Sequence, residues 1–199
     1  MKTDLTLELR ALLRQLEDQG KAHDAAEPEH SKRMLNLERE TAELVSILAG
    51  SSGARRVLEI GTSNGYSTIW LAASIGPGGG RITTIDRKPE KHAMALKNLS
   101  QARLADFVDF RCGEATEIVS ELAGPFDFVL FDADRKSAPA QLKILLPKLA
   151  RRALVLADNA LSHPAEMAGY IETVEGLPQF QHVVVPIGKG LSVGFYSAD

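Results

Sequence analysis

Val183-Val-Val-Pro-Ile-Gly-Lys-Gly-Leu-Ser-Val-Gly-Phe-Tyr196 decides the fold, because two β-rich runs lie in it with almost nothing between them. Only Ile187–Gly190 separates Val183–Val185 from Leu191–Tyr196, and a parallel crossover needs about a dozen residues. The pair must turn back as an antiparallel hairpin. Upstream the texture differs. Apolar runs at Val57–Ile60, Ile82–Ile85, Val108–Phe110, Phe128–Phe131 and Ala153–Ala157 alternate with helical patterns. Those patterns fill Tyr66–Ile75, Pro89–Arg103, Glu114–Leu122, Ala138–Leu149 and Ala165–Val174. Strands alternating with helices imply parallel βαβ units in a sheet covered on both faces. The expected architecture is an α/β sandwich, mostly parallel, that ends in a hairpin.

The remaining 1–50 stretch reads as helices ahead of a 51–199 core, all in one domain. Leu5, Leu9, Leu12, Leu13 and Leu16 share one helical face. Gly20 and the polar stretch to Pro28 interrupt it, and a second stripe runs Met34, Leu37, Thr41, Leu44, Val45 and Leu48 to Gly50. These helices either pack on the body or form a substrate lid or dimer contact; a homodimer is expected.

At 199 residues the chain can bury a core without a disulfide or structural metal. A hydrophobic fraction of 44% with 25% charged residues excludes wholesale disorder. Lys and Arg total 23 against 26 Asp and Glu, which argues against a dedicated nucleic-acid surface. One cysteine, Cys112, permits neither an internal disulfide nor a Cys-rich zinc site; it reads as a small buried residue. No apolar run approaches the roughly 20 residues of a membrane helix. The opening Met1-Lys-Thr-Asp-Leu-Thr-Leu-Glu lacks a signal-peptide core. A cytoplasmic protein with no nucleic-acid or membrane partner is expected.

Two groups of residues carry chemistry. The first strand runs into Glu59-Ile-Gly61-Thr-Ser63-Asn-Gly65-Tyr-Ser67 and then a helix. Glycines at such a turn let backbone approach a ligand. A dinucleotide fingerprint would need glycine where Ser63 stands. A ligand with an amino-acid tail could instead place its carboxylate on Ser63, Ser67 and the helix N-terminus. Asp86 ends the second strand about 20 residues on, placed to accept both ribose hydroxyls, or simply to cap the next helix. Cys112-Gly113-Glu114-Ala115 offers room for an adenine.

The second group is oxygen-rich. Asp132 comes directly after Phe128–Phe131, and Asp158-Asn159 directly after Ala153–Ala157, at the strand ends where α/β sheets bind ligands. Two carboxylates and an amide suit magnesium, manganese or calcium better than zinc or copper. The bland alternative is that each acid caps the next helix. His163 lies just beyond, either a loop histidine or a base.

Val57–Thr68, Ile82–Asp86, Phe128–Asp134, Asp158-Asn159 and Pro186–Leu191 together resemble the S-adenosylmethionine-dependent O-methyltransferases of the catechol and caffeoyl-CoA type. The resemblance implies the seven-stranded class I methyltransferase fold. It implies that Glu59, Gly61, Ser63, Gly65 and Ser67 line the cofactor's methionine end, that Asp86 holds the ribose, and that Gly113, Glu114, Ala115 and Thr116 flank the adenine. Asp132, Asp158 and Asn159 become the metal ligands, with Asp132 also near the cofactor's amino group. The family's lysine three residues after the first metal aspartate is Arg135 here, with Lys136 next to it. An arginine stays protonated, so the base is either Lys136 or solvent acting beside the cation. The competing readings are a metal-independent methyltransferase with another acceptor, such as an amine, and a non-catalytic S-adenosylmethionine-binding module.

Overall fold

The computed structural model describes residues 6–198, so Leu5 lies outside the described residues. Seven strands form one sheet in the order β3-β2-β1-β4-β5-β7-β6. They are β1 (Arg56–Ile60), β2 (Arg81–Asp86), β3 (Val108–Cys112), β4 (Phe126–Phe131), β5 (Leu149–Ala157), β6 (Phe180–Val185) and β7 (Leu191–Ser197). β1 to β5 pair in parallel, whereas β7 runs antiparallel to both β5 and β6. The closing hairpin and the parallel body are both as expected from the spacing.

Helices α3 (Tyr66–Ile75), α4 (Pro89–Gln101), α5 (Ala115–Glu121), α6 (Ala138–Leu145) and α7 (Pro164–Glu175) cover the sheet, while α1 (Leu7–Ala26) and α2 (Arg39–Ser51) precede it. One core layer packs Val57, Ile82, Phe128 and Leu130 under α3; the other packs Leu58, Val129 and Val155 under α6 and α7. Ile60 pairs with Ile85 and Phe131, and Phe131 with Ala157. This register makes Gly61, Asp86, Asp132 and Asp158 emerge along one edge. The strand order reverses between β1 and β4, the switch point where such sheets bind ligands.

Several boundaries differ from the sequence reading. The second apolar stripe is not one helix: α2 begins at Arg39, and Met34 and Leu37 precede it. The Asp24 carboxylate accepts the N–H groups of Met34 at 2.6 Å and Leu35 at 2.8 Å, and Leu35 has φ of +51°. Those bonds compete with a helical ladder, so residues 33–38 run without regular structure. α4 stops before Arg103, whose φ is +58°. Glu114 stands outside α5 as its cap. The pattern through Leu149 divides into α6, a single 3-10 turn and the start of β5. Among the described residues, no helix is long and apolar enough to cross a membrane.

Candidate active site

The turn after β1 is built to sit close to β4. Gly61 has φ of +115°, and a Cβ there would lie 2.1 Å from the Asp132 carbonyl oxygen. Gly65, at φ of +84°, turns its bare face to α4, where a Cβ would come within 3.1 Å of Ala95. Glu59 is fully buried and accepts hydroxyl protons from Ser67 at 2.6 Å, Thr68 at 2.5 Å and Thr84 at 2.6 Å. Burial raises its pKa against those bonds. Glu59 therefore acts from behind, fixing α3 to β1 and β2 rather than facing a ligand. The Ser67 proton is spent on Glu59, and the Ser63 hydroxyl donates to the Met34 carbonyl at 2.6 Å. Neither serine offers a ready proton to a ligand carboxylate in this conformation.

Asp86 sits half-buried at the end of β2. Its carboxylate accepts the N–H of Ser63 at 2.8 Å and of Lys88 at 3.0 Å. The Gly113 N–H donates to the Asp86 carbonyl at 3.0 Å, which holds the start of the β3–α5 loop alongside. Glu114 caps α5 by accepting from Thr116 at 2.7 Å and Glu117 at 3.2 Å, and Ala115 opens that helix. Cys112 corrects the sequence reading: it is exposed, because β3 is the outermost strand and its end is open.

The oxygen-rich end is one crevice lined by Asp132, Arg135, Asp158 and Asn159, with Gln141 and Met167. Asp132 keeps some surface, yet it lies deep among protein atoms; burial, then Asp158, then Glu59 push its pKa well above the ordinary carboxylate value. Burial also raises Asp158, to about 6. Its Oδ2 accepts the Asn159 amide at 2.7 Å, whereas Oδ1 is buried without a protein partner. Two crowded carboxylates with an orphaned oxygen form a donor set that a hard cation would complete. Asn159 has φ of +71° and turns its own oxygen toward Arg135. Among the described residues, no cluster of three His, Cys, Asp or Glu side chains gathers as a metal site. A cation here would rest on two carboxylates and the second lone pair of the Asn159 oxygen.

Arg135 is pinned at both ends. Its Nε donates to Glu166 Oε2 at 2.8 Å and its Nη1 to Asn159 Oδ1 at 3.0 Å. Lys136 is exposed and does not line the crevice. His163 caps α7 and shares a 2.9 Å contact with the Ser162 hydroxyl.

Sequence reasoning missed a second ring of residues. Lys189, in the β6–β7 turn, pairs with Glu38 at 2.8 Å, and its charge favours the ionised forms of Asp132 and Asp158. Main-chain bonds from Ala160, Leu161 and Ser162 to the Lys189 and Gly190 carbonyls fasten that turn over the acidic loop. Glu166, Gln141 and Lys91 were also missed, because isolated charges or amides on helices look like solvated surface.

A family model described as O-methyltransferase matches residues 8–185. Catechol O-methyltransferase of Mycobacterium tuberculosis is 42% identical over 116 residues, covering 58% of this chain and 52% of that protein. Tricin synthase 2 of rice (Oryza sativa subsp. japonica) is 34% identical over 140 residues, 67% of this chain and 47% of that protein. The chain spans about half the length of the curated relatives it matches. Among solved structures, cofactor-bound Rv0187 from MTB superposes with a TM-score of 0.81 at 29% identity, over 98% of this chain and 94% of that one. The Streptomyces achromogenes O-methyltransferase TomG, in complex with SAM, gives 0.78 at 27% identity over 92% and 89%.

Proposed function

Because the chain belongs to the O-methyltransferase family, we propose that it carries the methyl group of S-adenosylmethionine to a hydroxyl of a small, catechol-like acceptor with the help of a divalent cation. Magnesium or manganese suits the donor set. The observation that carries this reading is the Asp132–Asp158 pair, crowded, raised in pKa and left with an orphaned oxygen, two and three strands from Asp86.

When bound, the cofactor supplies an electrophilic sulfonium methyl, and the cation supplies Lewis acidity toward adjacent acceptor oxygens. The protein's work is then positioning. Asp86 would accept the ribose hydroxyls, and the Gly61 turn would give the amino-acid end close access. Asp132, Asp158 and Asn159 would hold the cation. Arg135 cannot take the acceptor's proton, since a guanidinium stays charged and this one is bound by Glu166 and Asn159. It orients the Asn159 oxygen instead. With Lys136 outside the crevice, the acceptor's proton would pass to water at the mouth.

The test is calorimetry with S-adenosylmethionine, with and without magnesium, and then methyl transfer to a panel of catechols. Binding of the cofactor and magnesium-stimulated transfer are expected. Full turnover in excess chelator would remove the cation from the reading. Tight cofactor binding with no transfer to any acceptor would favour a non-catalytic module.

A further inference from the structure

Lys91 is a buried cation that the proposed chemistry does not use. It lies on the first turn of α4 and is only 5% exposed. Among the described residues no carboxylate lies within ion-pair distance of its ammonium, and burial holds its pKa below the usual lysine value. Asp86 and Asp24 favour its charge from a distance, yet all its hydrogen bonds go to neutral acceptors, a costly arrangement for an ammonium taken from water.

All of them point one way. The Lys91 ammonium donates to the Arg33 carbonyl at 2.7 Å and the Lys32 carbonyl at 3.5 Å, and touches the Met34 sulfur at 3.1 Å and the Ser63 hydroxyl at 3.4 Å. Lys88 donates to the Ser31 carbonyl, and Asp24 holds the N–H groups of Met34 and Leu35. The Ser63 hydroxyl meets the same segment at the Met34 carbonyl. The segment 31–35 is thus laced from α1, from α4 and from the β1–α3 turn, and it crosses the residue whose N–H binds Asp86.

We propose that Lys91 is a positioning residue for the cofactor, clamping residues 31–35 as a strap over the β1–α3 turn so that strap opening limits the cofactor's release. The inference rests on the placement of the cofactor at Gly61 and Asp86 proposed above. A cofactor seated there would have the strap as a roof over its amino-acid end, with Lys91 acting on it through the strap.

The experiment measures S-adenosylhomocysteine release by stopped-flow displacement, and affinity by calorimetry, in Lys91→Met, Asp24→Ala and Asp86→Ala. In Lys91→Met, release should quicken about tenfold, the factor carried by one hydrogen bond to a charged group. The defect should fall on KM for S-adenosylmethionine rather than on kcat. Asp24→Ala should shift release the same way by about threefold, as expected for a hydrogen bond to a partly exposed acid. That variant decides the question if Lys91→Met does not fold. Unchanged release in every folded strap variant, with weakened affinity in Asp86→Ala, would overturn the clamp and leave the cofactor placement standing. Unchanged affinity in Asp86→Ala would overturn the placement and the clamp with it.

Discussion

The two halves of the sheet's carboxyl edge end in opposite electrostatic states. At β1 and β2 every acid is answered from within the protein. Glu59 takes three hydroxyl bonds and Asp86 takes two backbone N–H bonds. At β4 and β5 the acids repel each other, and Asp158 Oδ1 has no protein partner. One half is organised before any ligand arrives; the other keeps a buried carboxylate oxygen without a protein partner, although Lys189 and Arg135 lend it positive charge. A ligand at the first half should gain affinity from geometry, and one at the second from relief of repulsion.

The largest expected effect breaks the second half alone. Asp158→Ala removes a proposed cation ligand without touching Asp86 or the Gly61 turn. Methyl transfer should fall by more than about a hundredfold, since Lewis-acid assistance is worth several kcal/mol. S-adenosylhomocysteine affinity, measured by calorimetry, should stay within about twofold, the scatter of a remote substitution. An equal loss of cofactor affinity would mean that the two halves are one electrostatic unit.

The mirror experiment is Asp86→Ala. It takes the proposed ribose acceptor away and leaves the Ser63 N–H without its partner. Cofactor binding should weaken by about 1–3 kcal/mol, the order for a hydrogen bond to a charged group. The magnesium requirement should be unchanged, which a titration of activity against metal concentration would check.

Much of this edge was legible in the sequence, for a physical reason. Val57–Ile60 and Phe128–Phe131 are central strands, so their burial writes itself as apolar runs, and the residues just beyond each run must lie at the edge. Asp132, Asp158 and Asn159 were therefore found by position and come together in one crevice. The same logic failed for side chains that reach the site from afar. Glu38, Lys189 and Lys91 come from a helix cap, a hairpin turn and a helix start, and no periodicity marks which charge will turn inward. It also failed where side chains redirect backbone: Asp24 unwinds the expected helix at Met34, a contact ten residues along the chain. Cys112 was misread because a strand's place in the sheet, central or outermost, is not written in its own residues.

A pH titration sharpens the contrast between the halves. Burial raises Asp158 to about 6 and lifts Asp132 as well, so the folded protein holds these protons more tightly than the unfolded chain. Without metal, the Asp158 contribution should therefore fall away as pH climbs from the ordinary carboxylate value to about 6, and the raised Asp132 adds a further loss of the same sign. A cation must displace the proton. Its apparent affinity should rise with pH, by about tenfold per unit for the Asp158 proton below that point and more steeply where Asp132 is protonated too. Thermal melts with and without magnesium between acid and neutral pH check both trends. A melt whose metal response does not depend on pH would place the cation elsewhere.

The smallest effects separate Arg135 from Lys136. Arg135 reaches Asn159 and Glu166 with different edges of one planar group. Removing it frees the Asn159 oxygen to swing and leaves Glu166 near the acidic loop without its partner. Arg135→Ala should weaken the apparent magnesium constant about tenfold, the low end for a residue that orients a metal ligand. Arg135→Lys should not restore it, because an ammonium lacks the fork that spans two partners. Lys136 is exposed and its backbone N–H, not its side chain, contacts Asp134 at 3.3 Å. Lys136→Ala should leave kcat within about twofold, as for an ordinary surface change. Metal titrations of activity in the three variants separate the possibilities. A collapse confined to Lys136→Ala would make that lysine the proton acceptor and would require the loop after β4 to turn inward when the acceptor binds.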